Sequence, residues 1–288
     1  MIKIIKNIIL SLFPKRAKDH LFKEQKRFSW QTLHEINNEP EVLILEEIFQ
    51  KHPQLTFFDI GSNKGEYVFA SEKYLDPKHI FAFEPNPKLF TRLTALFSTV
   101  RSYPIAFSNK NEEVTFKIPT VNGHEDDTLG SIDTGNKLEN ETSHELVRVP
   151  CRTIDSFIAE NGNITPGCIK IDVEGFEMAV MEGAADTISS SFPLMLIEIE
   201  KRHHQSKMVV ELIDKVKNYA PAGQSYEVFY FDSLQHRILP VIGEPSQERP
   251  EWGTRNYINN FLFVPAHSVY IADITAINNK LSKLFAKN

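Results

Sequence analysis

The architecture of this chain is indicated by the stretch Phe57-Phe58-Asp59-Ile60-Gly61-Ser62-Asn63-Lys64-Gly65. A second apolar run follows at Phe81-Ala82-Phe83-Glu84-Pro85. Each run ends in a carboxylate, and the first leads directly into a glycine-containing turn that precedes a helical segment. This order predicts a strand, a loop, a helix and a second strand that together bind a nucleoside ligand.

The glycine spacing and the charge indicate which nucleoside this is. A dinucleotide fingerprint reads G-x-G-x-x-G and holds a pyrophosphate at a helix N-terminus, whereas the glycines here are Gly61 and Gly65. A carboxylate at Asp59 repels a pyrophosphate but attracts the ammonium and sulfonium of S-adenosylmethionine. Glu84 is placed to accept hydrogen bonds from both ribose hydroxyls. The alternatives are a helix cap for Asp59 and a surface acid for Glu84.

Composition limits the classes of partner. The chain has 288 residues, of which 41% are hydrophobic and 24% charged, as in an ordinary globular protein with one large domain or two small ones. A net charge of -6 without a basic, aromatic-interleaved stripe argues against nucleic acid as a partner. Cys151 and Cys168 fit no metal spacing, so we expect reduced thiols in a cytoplasmic protein.

The first 16 residues have the look of a signal peptide, but Lys3 and Lys6 interrupt the apolar run and no small-residue cleavage site follows. On a helix, one face would carry Ile2, Ile5, Ile9, Leu12 and Phe13. Such a helix either makes a peripheral contact with the inner membrane surface or packs on the domain. No run is long enough to span a bilayer.

The organisation predicted from the pattern is a helical extension over residues 1–53, a domain over 54–267 and a C-terminal helix within 268–288. Alternating strands and helices from Leu55 onward predict an α/β fold, a mostly parallel sheet with helices on both faces. We expect seven strands in this sheet. Three specific expectations are a single strand over 101–107, a long acidic loop over 122–145 and one helix over 175–188.

A second carboxylate-bearing segment is Cys168-Ile169-Lys170-Ile171-Asp172-Val173-Glu174-Gly175-Phe176-Glu177. An apolar strand again ends in an acid, and ligands of open parallel sheets bind at the carboxyl ends of the strands. We therefore expect one sheet edge to carry Asp59, Glu84, Asp172 and either Glu198 or Glu200.

These segments resemble the FkbM family of S-adenosylmethionine-dependent methyltransferases. The resemblance covers roughly residues 55–265, and it is carried by Asp59 to Gly65, Phe83-Glu84-Pro85-Asn86-Pro87, Ile171 to Glu177 and Leu196-Ile197-Glu198-Ile199-Glu200. It implies a Rossmann-like class I methyltransferase fold, with seven strands of which the last is antiparallel. It also implies O-methylation of a hydroxyl, commonly on a sugar or a polyketide-like metabolite.

The predicted site has a cofactor part and an acceptor part. The residues expected to bind S-adenosylmethionine are Asp59, Gly61, Ser62, Asn63, Gly65, Glu84, Asn86, Ala106 and Asp172. Ser131 and Glu174 are expected to contact the acceptor. The alternatives are that Ser131 lines the cofactor pocket and that Glu174 binds a cation or faces solvent in its turn. Asp172 positions either the methionine part of the cofactor or the acceptor hydroxyl, and its alternative role is to cap the helix after Gly175.

Methyl transfer is an in-line displacement, so the protein must align the acceptor oxygen and remove its proton. The candidates for this catalytic work are Asp172, Glu198, His203 and His204. Glu198 lies in an apolar strand and therefore needs a partner or a raised pKa, and an imidazole titrates near neutrality. The loop residues His124, Glu125, Asp126, Asp127 and Asp133 match no metal motif, so no metal site is predicted.

The leading hypothesis is a cytoplasmic S-adenosylmethionine-dependent O-methyltransferase that acts on a saccharide or related small molecule. One rival is a nicotinamide-dependent oxidoreductase, which the missing third glycine and Asp59 disfavour. Another is a non-enzymatic module that binds the cofactor at a membrane surface. The sequence leaves the acceptor, the general base and the oligomeric state open.

Overall fold

A computed structural model describes residues 14–36, 39–121, 124–125, 130–132, 141–204, 208–247 and 257–286. The helices are α1 (Pro14–Leu21), α2 (Lys23–Arg27), α3 (Pro40–Lys51), α4 (Glu66–Ser71), α5 (Pro87–Leu96), α6 (Ile154–Glu160), α7 (Glu177–Glu182), α8 (Ala185–Ser191), α9 (Val209–Lys217) and α10 (Val269–Phe285). The strands are β1 (Phe57–Ile60), β2 (Ile80–Phe83), β3 (Arg101–Tyr103), β4 (Ala106–Phe107), β5 (Glu112–Val121), β6 (His124–Glu125), β7 (Glu141–Arg152), β8 (Cys168–Ile171), β9 (Leu194–Glu198), β10 (Tyr226–Asp232), β11 (Arg237–Pro240) and β12 (Asn260–Pro265).

The main sheet has the strand order β11-β10-β12-β9-β8-β1-β2-β3. Five neighbouring strands, from β3 to β9, are parallel, and β12 is antiparallel to both β9 and β10. The predicted mostly parallel α/β fold with an antiparallel last strand is therefore confirmed. The predicted number of seven strands is wrong, because β11 adds an eighth at the edge.

The eighth strand comes from a hairpin that the sequence pattern did not indicate. Asp232 closes the turn by accepting the backbone N–H groups of Leu234 at 2.9 Å and Gln235 at 2.7 Å, as aspartates in turns do. β11 has four residues and ends at Pro240, which has no N–H to donate to a further ladder. So short a segment is too brief for an alternating pattern to stand out.

Helices cover both faces of the main sheet, as predicted. Neighbouring residues of a strand point to opposite faces, so Phe57 packs in one core cluster with α3, α4 and α10, while Phe58 packs in another with α6, α7, α8 and α9. Both phenylalanines are fully buried. Such two-sided burial explains why the central strands read as continuous apolar runs.

A smaller sheet, β4-β7-β5-β6, corrects two sequence expectations. The predicted single strand over 101–107 is two strands in different sheets, β3 and β4, because Pro104 interrupts it and lacks an N–H for the ladder. The predicted loop over 122–145 ends earlier, since β7 begins at Glu141 and pairs with β5 from there to Cys151.

The predicted helix over 175–188 is also divided. It forms α7 and α8, which are separated at Gly183, where a Cβ atom would lie 2.1 Å from the carbonyl oxygen of Ser108. This close approach lets the chain turn against the segment after β4. The single-helix expectation failed because the apolar spacing is the same on both sides of the break.

The helices before β1 pack on the main sheet. Phe22 stacks on Phe69 of α4 with ring centroids 4.5 Å apart, and Trp30 lies 5.5 Å from Phe231 of β10. Gln25 donates to the carbonyl of Glu66 at 2.7 Å. The predicted amphipathic face over residues 2–13 lies outside the described residues. None of the helices described has both the length and the apolar character needed to cross a membrane.

Candidate functional site

A cavity opens at the carboxyl ends of β1, β2, β8 and β9. Because β1 lies between β2 and β8, the loops that follow β1 and β8 diverge there and leave a crevice. Its wall is formed by Glu39, Ile60, Gly61, Asn63, Glu84, Pro85, Leu89, Ile105, Ala106, Phe107, Phe116, Gly130, Ile132, Asp172, Val173, Glu174 and Glu198. Among the described residues, the predicted site residues that do not line it are Asp59, Ser62, Gly65, Asn86, Ser131, His203 and His204.

The glycine loop is held against both neighbouring strands. Gly61 has a φ of +78°, and a Cβ atom there would lie 1.8 Å from the carbonyl oxygen of Asp172. Ser62 donates its hydroxyl to the carbonyl of Asp59 at 2.7 Å and accepts the N–H of Phe83 at 3.0 Å. Gly65, with a φ of +87°, is the N-cap residue of α4. Ser62 and Gly65 therefore shape the loop from behind the cavity wall.

Glu84 is fixed by the main chain on both sides. One carboxylate oxygen accepts the N–H of Asn63 at 2.7 Å and the other accepts the N–H of Asn86 at 2.8 Å. Burial raises the pKa of Glu84 to about 7, although both N–H groups oppose that rise. The side chain of Asn86 caps α5 by accepting the N–H of Lys88 at 3.0 Å. Asn86 thus holds Glu84 through its backbone.

Asp59 lies beneath the loop, with its side chain 1% exposed. Burial raises its pKa to about 6, and the nearby Lys170 opposes this rise. The ammonium nitrogen of Lys170 is 3.8 Å from Asp59 and donates to the carbonyl of Gly61 at 3.1 Å and to Asp172 at 3.0 Å. Sequence reasoning missed Lys170 as a site residue. A lysine in the middle of an otherwise apolar strand was the available signal.

Three carboxylates form the other end of the cavity: Asp172, Glu174 and Glu198 each offer an oxygen within 4.8 Å of the others. Burial and its acidic neighbours raise the pKa of Glu198 well above its usual value. Burial also disfavours ionised Asp172, but Lys170 and a hydrogen bond with Glu198 together outweigh burial and lower the pKa of Asp172. A proton shared between Asp172 and Glu198 therefore satisfies the arrangement. The same oxygens suit a hard divalent cation, and the absence of a metal site stays a prediction.

The two candidate histidines lie just outside this wall, in the segment that follows β9. His203 Nε2 is 3.2 Å from Glu174 and 3.4 Å from Glu200. Burial opposes protonation of His203, but these two carboxylates outweigh it and raise its pKa to about 9. His204 Nε2 lies 3.4 Å from Glu177. Gly175 permits the approach of His203, because a Cβ atom there would be 3.1 Å from it.

The small sheet forms one side of the cavity. Phe116, Gly130 and Ile132 line it, and Ser131 between them donates its hydroxyl to the carbonyl of Glu174 at 2.9 Å. Ser131 therefore links this side of the cavity to the carboxylate cluster. Ala106 also lies in the wall, and its contact with the cofactor stays a prediction. The candidate loop residues Asp126, Asp127 and Asp133, and the side chains of His124 and Glu125, lie outside the described part of the chain.

Comparisons with known proteins match this chain to methyltransferases. A family model described as the methyltransferase FkbM domain matches residues 59–222. The hexuronic acid methyltransferase AglP of Haloferax volcanii is 30% identical over 181 residues, which are 57% of this chain and 66% of that protein. The chain thus spans just under two thirds of this curated relative.

Two solved structures are more distant. The methyltransferase FkbM of Methylobacillus flagellatus has 15% identity and a TM-score of 0.44, over 73% of this chain and 43% of that one. The precorrin-6y C5,15-methyltransferase of Geobacter metallireducens has 8% identity and a TM-score of 0.37, over 77% of this chain and 87% of that one.

Proposed function

The chain belongs to the methyltransferase FkbM domain family, and from that premise we propose that it transfers a methyl group from S-adenosylmethionine to a hydroxyl of a saccharide or related small molecule. The observation that carries this proposal is Glu84, a buried carboxylate held by two backbone N–H groups beside the Gly61 loop. The saccharide part is supported by the name of the relative AglP, a hexuronic acid methyltransferase.

The donor set of the cavity fits this cofactor. Five carboxylate side chains line the wall, from Glu39, Glu84, Asp172, Glu174 and Glu198, and a cationic ligand relieves their mutual repulsion. A pyrophosphate would add negative charge to the same space, which counts against the rival nicotinamide cofactor. The second rival, a non-enzymatic module at a membrane surface, depends on the amphipathic face over residues 2–13, which lies outside the described residues.

The glycine-loop end of the cavity, formed by Gly61, Asn63 and Glu84, would hold the cofactor, which supplies an electrophilic methyl group when bound. Glu84 would accept the two ribose hydroxyls, since its oxygens are already oriented by Asn63 and Asn86. The backbone of Gly61 and Asn63 would contact the bound cofactor, and Ala106 would flank its adenine ring. Asp59, Ser62 and Gly65 would act by holding the loop.

Asp172 and Glu198 would take the proton of the acceptor hydroxyl. A carboxylate with a raised pKa is a better base than an ordinary one, and positive charge nearby returns its pKa toward neutrality. Glu174, held by Ser131 and His203, would position the acceptor. We assign His203 and His204 positioning roles. Burial opposes protonation of His203, but Glu174 and Glu200 raise its pKa to about 9, which favours the charged form and makes it a poor proton acceptor at neutral pH. His204 lies beside Glu177 and does not line the cavity.

Calorimetric titration with S-adenosylmethionine tests the cofactor. Glu84→Gln keeps the size of the side chain but removes its charge, so we expect the dissociation constant to rise about 10- to 100-fold. Glu244→Gln is the matched control, because Glu244 also accepts two backbone N–H groups, from Val209 and Val210, but lies outside the cavity wall. Its cofactor affinity should stay at the wild-type value.

Two results would contradict the proposal. If the intact protein does not bind S-adenosylmethionine, the cofactor assignment is wrong, and binding of a nicotinamide cofactor instead would favour the oxidoreductase. If the protein binds the cofactor, an assay with a labelled methyl group and a panel of neutral, acidic and amino sugars tests the acceptor. Transfer to non-saccharide hydroxyls alone would remove the saccharide part of the proposal.

A further inference from the structure

A carboxylate from outside the matched domain reaches the cavity. Glu39 precedes α3, well before residue 59 where the family match begins, and it nevertheless lines the wall beside Gly61 and Asp172. None of the sequence motifs predicted a role for it. Its position depends on how the helices before β1 pack on the sheet.

The backbone around Glu39 directs its side chain away from helix capping. Glu39 is the N-cap residue of α3, with an extended φ of -72° and ψ of 120°, and it makes no side-chain capping hydrogen bond. Pro40 occupies the first helical position, where its missing N–H costs nothing. The carboxylate instead accepts the hydroxyl of Tyr67 at 2.6 Å.

Tyr67 connects Glu39 to the glycine loop. It lies in the first turn of α4, which begins directly after Gly65, and is only 6% exposed. Lys170 sits 5.1 Å from the centre of its ring. The hydrogen bond therefore holds the carboxylate of Glu39 on the side of the glycine loop that faces Asp172 and Lys170.

Among the described residues, acidic side chains outnumber basic ones at this place. Lys170 is the positive neighbour of both Asp59 and Glu39, and it already donates to Asp172 and to the carbonyl of Gly61. Asp172 also has His203 nearby. Burial and the negative charge of Asp172 raise the pKa of Glu39, while Lys170 lowers it. A further cationic group beside Glu39 would relieve this excess of negative charge.

We propose that Glu39 binds the ammonium group of the amino-acid part of the methyl donor, so that the segment before the matched domain completes the cofactor site. The inference rests on the proposed function, because it takes S-adenosylmethionine as the ligand. Glu84 then holds the ribose, and Glu39 holds the opposite end of the same molecule. The hydroxyl of Tyr67 keeps the carboxylate in place.

Two probes separate the ends of the ligand. S-adenosylhomocysteine carries the ammonium but no sulfonium, and methylthioadenosine lacks the amino-acid part altogether. Glu39→Gln still accepts the Tyr67 hydroxyl but loses its charge, so S-adenosylhomocysteine should bind about 10- to 100-fold more weakly. Methylthioadenosine should bind with an affinity within about twofold of wild type, since no contact to the ammonium exists to be lost.

Glu41→Gln is the matched control. Glu41 lies two residues after Glu39, in the first turn of α3, and is 8% exposed. Burial and Glu39 raise its pKa to about 8, but it does not line the cavity. Both probes should bind this variant as they bind the wild type. If Glu39→Gln proves too unstable to titrate, Glu39→Asp replaces it, because it retracts the charge by one methylene. The affinities of the same two probes are then compared for that variant.

The outcomes are distinct. Equal weakening of both probes by Glu39→Gln means a structural role and overturns the inference, as does an unchanged affinity for both. In either case binding of S-adenosylmethionine to the wild type leaves the proposed cofactor intact. If the wild-type protein binds neither probe nor S-adenosylmethionine, the proposed function fails first and the inference falls with it.

Discussion

The two ends of the cavity are both acidic, but they are built in different ways. At the glycine-loop end, defined by Gly61, Asn63 and Glu84, the carboxylate is held by backbone N–H groups. At the carboxylate cluster, defined by Asp172, Glu174 and Glu198, the acids are held by one another and by ionisable side chains. The first depends on the path of the main chain, the second on protonation.

This difference suggests a division of labour. A carboxylate held by two backbone N–H groups keeps its position in the cavity wall, which suits a ligand that is always the same. Carboxylates that share a proton have a charge that responds to what binds beside them. That property suits a step in which a proton has to move. The predictions below test whether the two ends can be separated in this way.

Gly61→Ala disturbs the glycine-loop end and should have the largest effect of these substitutions on the free energy of unfolding. An alanine Cβ would lie 1.8 Å from the carbonyl oxygen of Asp172, and the φ of +78° adds strain. We expect a loss of about 3–5 kcal/mol in the free energy of unfolding. Urea denaturation followed by circular dichroism measures it.

Gly162→Ala is the control for that substitution. Gly162 has a φ of +86°, but no atom lies within 4 Å of its would-be Cβ. It should lose only the cost of left-handed backbone, about 1–2 kcal/mol. Equal losses in the two variants would mean that the contact between Gly61 and Asp172 contributes little, and the loop would not be fixed as described.

Glu198→Gln changes the carboxylate cluster and should lower kcat without changing the affinity for S-adenosylmethionine. Loss of a general base lowers kcat by about 100- to 10,000-fold, whereas the affinity for S-adenosylmethionine should change by about twofold at most. The wild-type kcat should rise with pH, because the base must be ionised, and this rise should vanish in the variant. Steady-state kinetics and calorimetry on the same preparation measure both quantities.

Glu200→Gln is the control at the same strand end. Glu200 pairs with Arg202 and His203 and does not line the cavity, so we expect its kcat to fall less than about tenfold. A parallel loss of cofactor affinity in Glu198→Gln would instead place Glu198 in the cofactor site. Loss of activity on treatment with a chelator would mean that the carboxylate cluster holds a cation, contrary to the sequence prediction.

The glycine-loop end could be predicted from the sequence because each of its parts follows a local rule. Asp59 and Glu84 end apolar runs, and glycines mark the turn between them. The parallel order of the strands then brings these ends to one edge. Asp172 followed from the same rule. Ser62 and Asn86 were predicted to contact the cofactor, and in the structure they accept hydrogen bonds from the backbone of Phe83 and Lys88. Their contact with the cofactor stays a prediction.

The rest depends on tertiary packing, which one sequence does not display. Glu39 reaches the cavity only because α3 packs beside α4. Lys170 is one polar residue in a buried strand. The face of the sheet to which its side chain points depends on the register of β8 with β1. The same holds for β11, whose pairing with β10 rests on a turn at Asp232.

His203→Gln tests the ionisable side chains around the carboxylate cluster and should have the smallest effect. The pKa of His203 is raised from 6.5 to about 9 in the folded protein. A raised histidine pKa stabilises the fold fully below the unfolded value of 6.5, and this stabilisation is lost as the pH rises to about 9. With allowance for solvent screening, the variant should lose about 1–2 kcal/mol at low pH.

His144→Gln is the control for His203→Gln. His144 also contacts a glutamate, at 3.0 Å from Glu141, but it lies in β7 of the small sheet with 43% of its side chain accessible. Its unfolding free energy should stay within about 0.5 kcal/mol of wild type at every pH. Denaturant melts at about pH 6.5 and about pH 10 measure both variants. If the deficit of His203→Gln is the same at both pH values, the contacts of His203 act through packing rather than charge. The cluster would then be as fixed as the glycine-loop end, and the two ends would not differ in the way we describe.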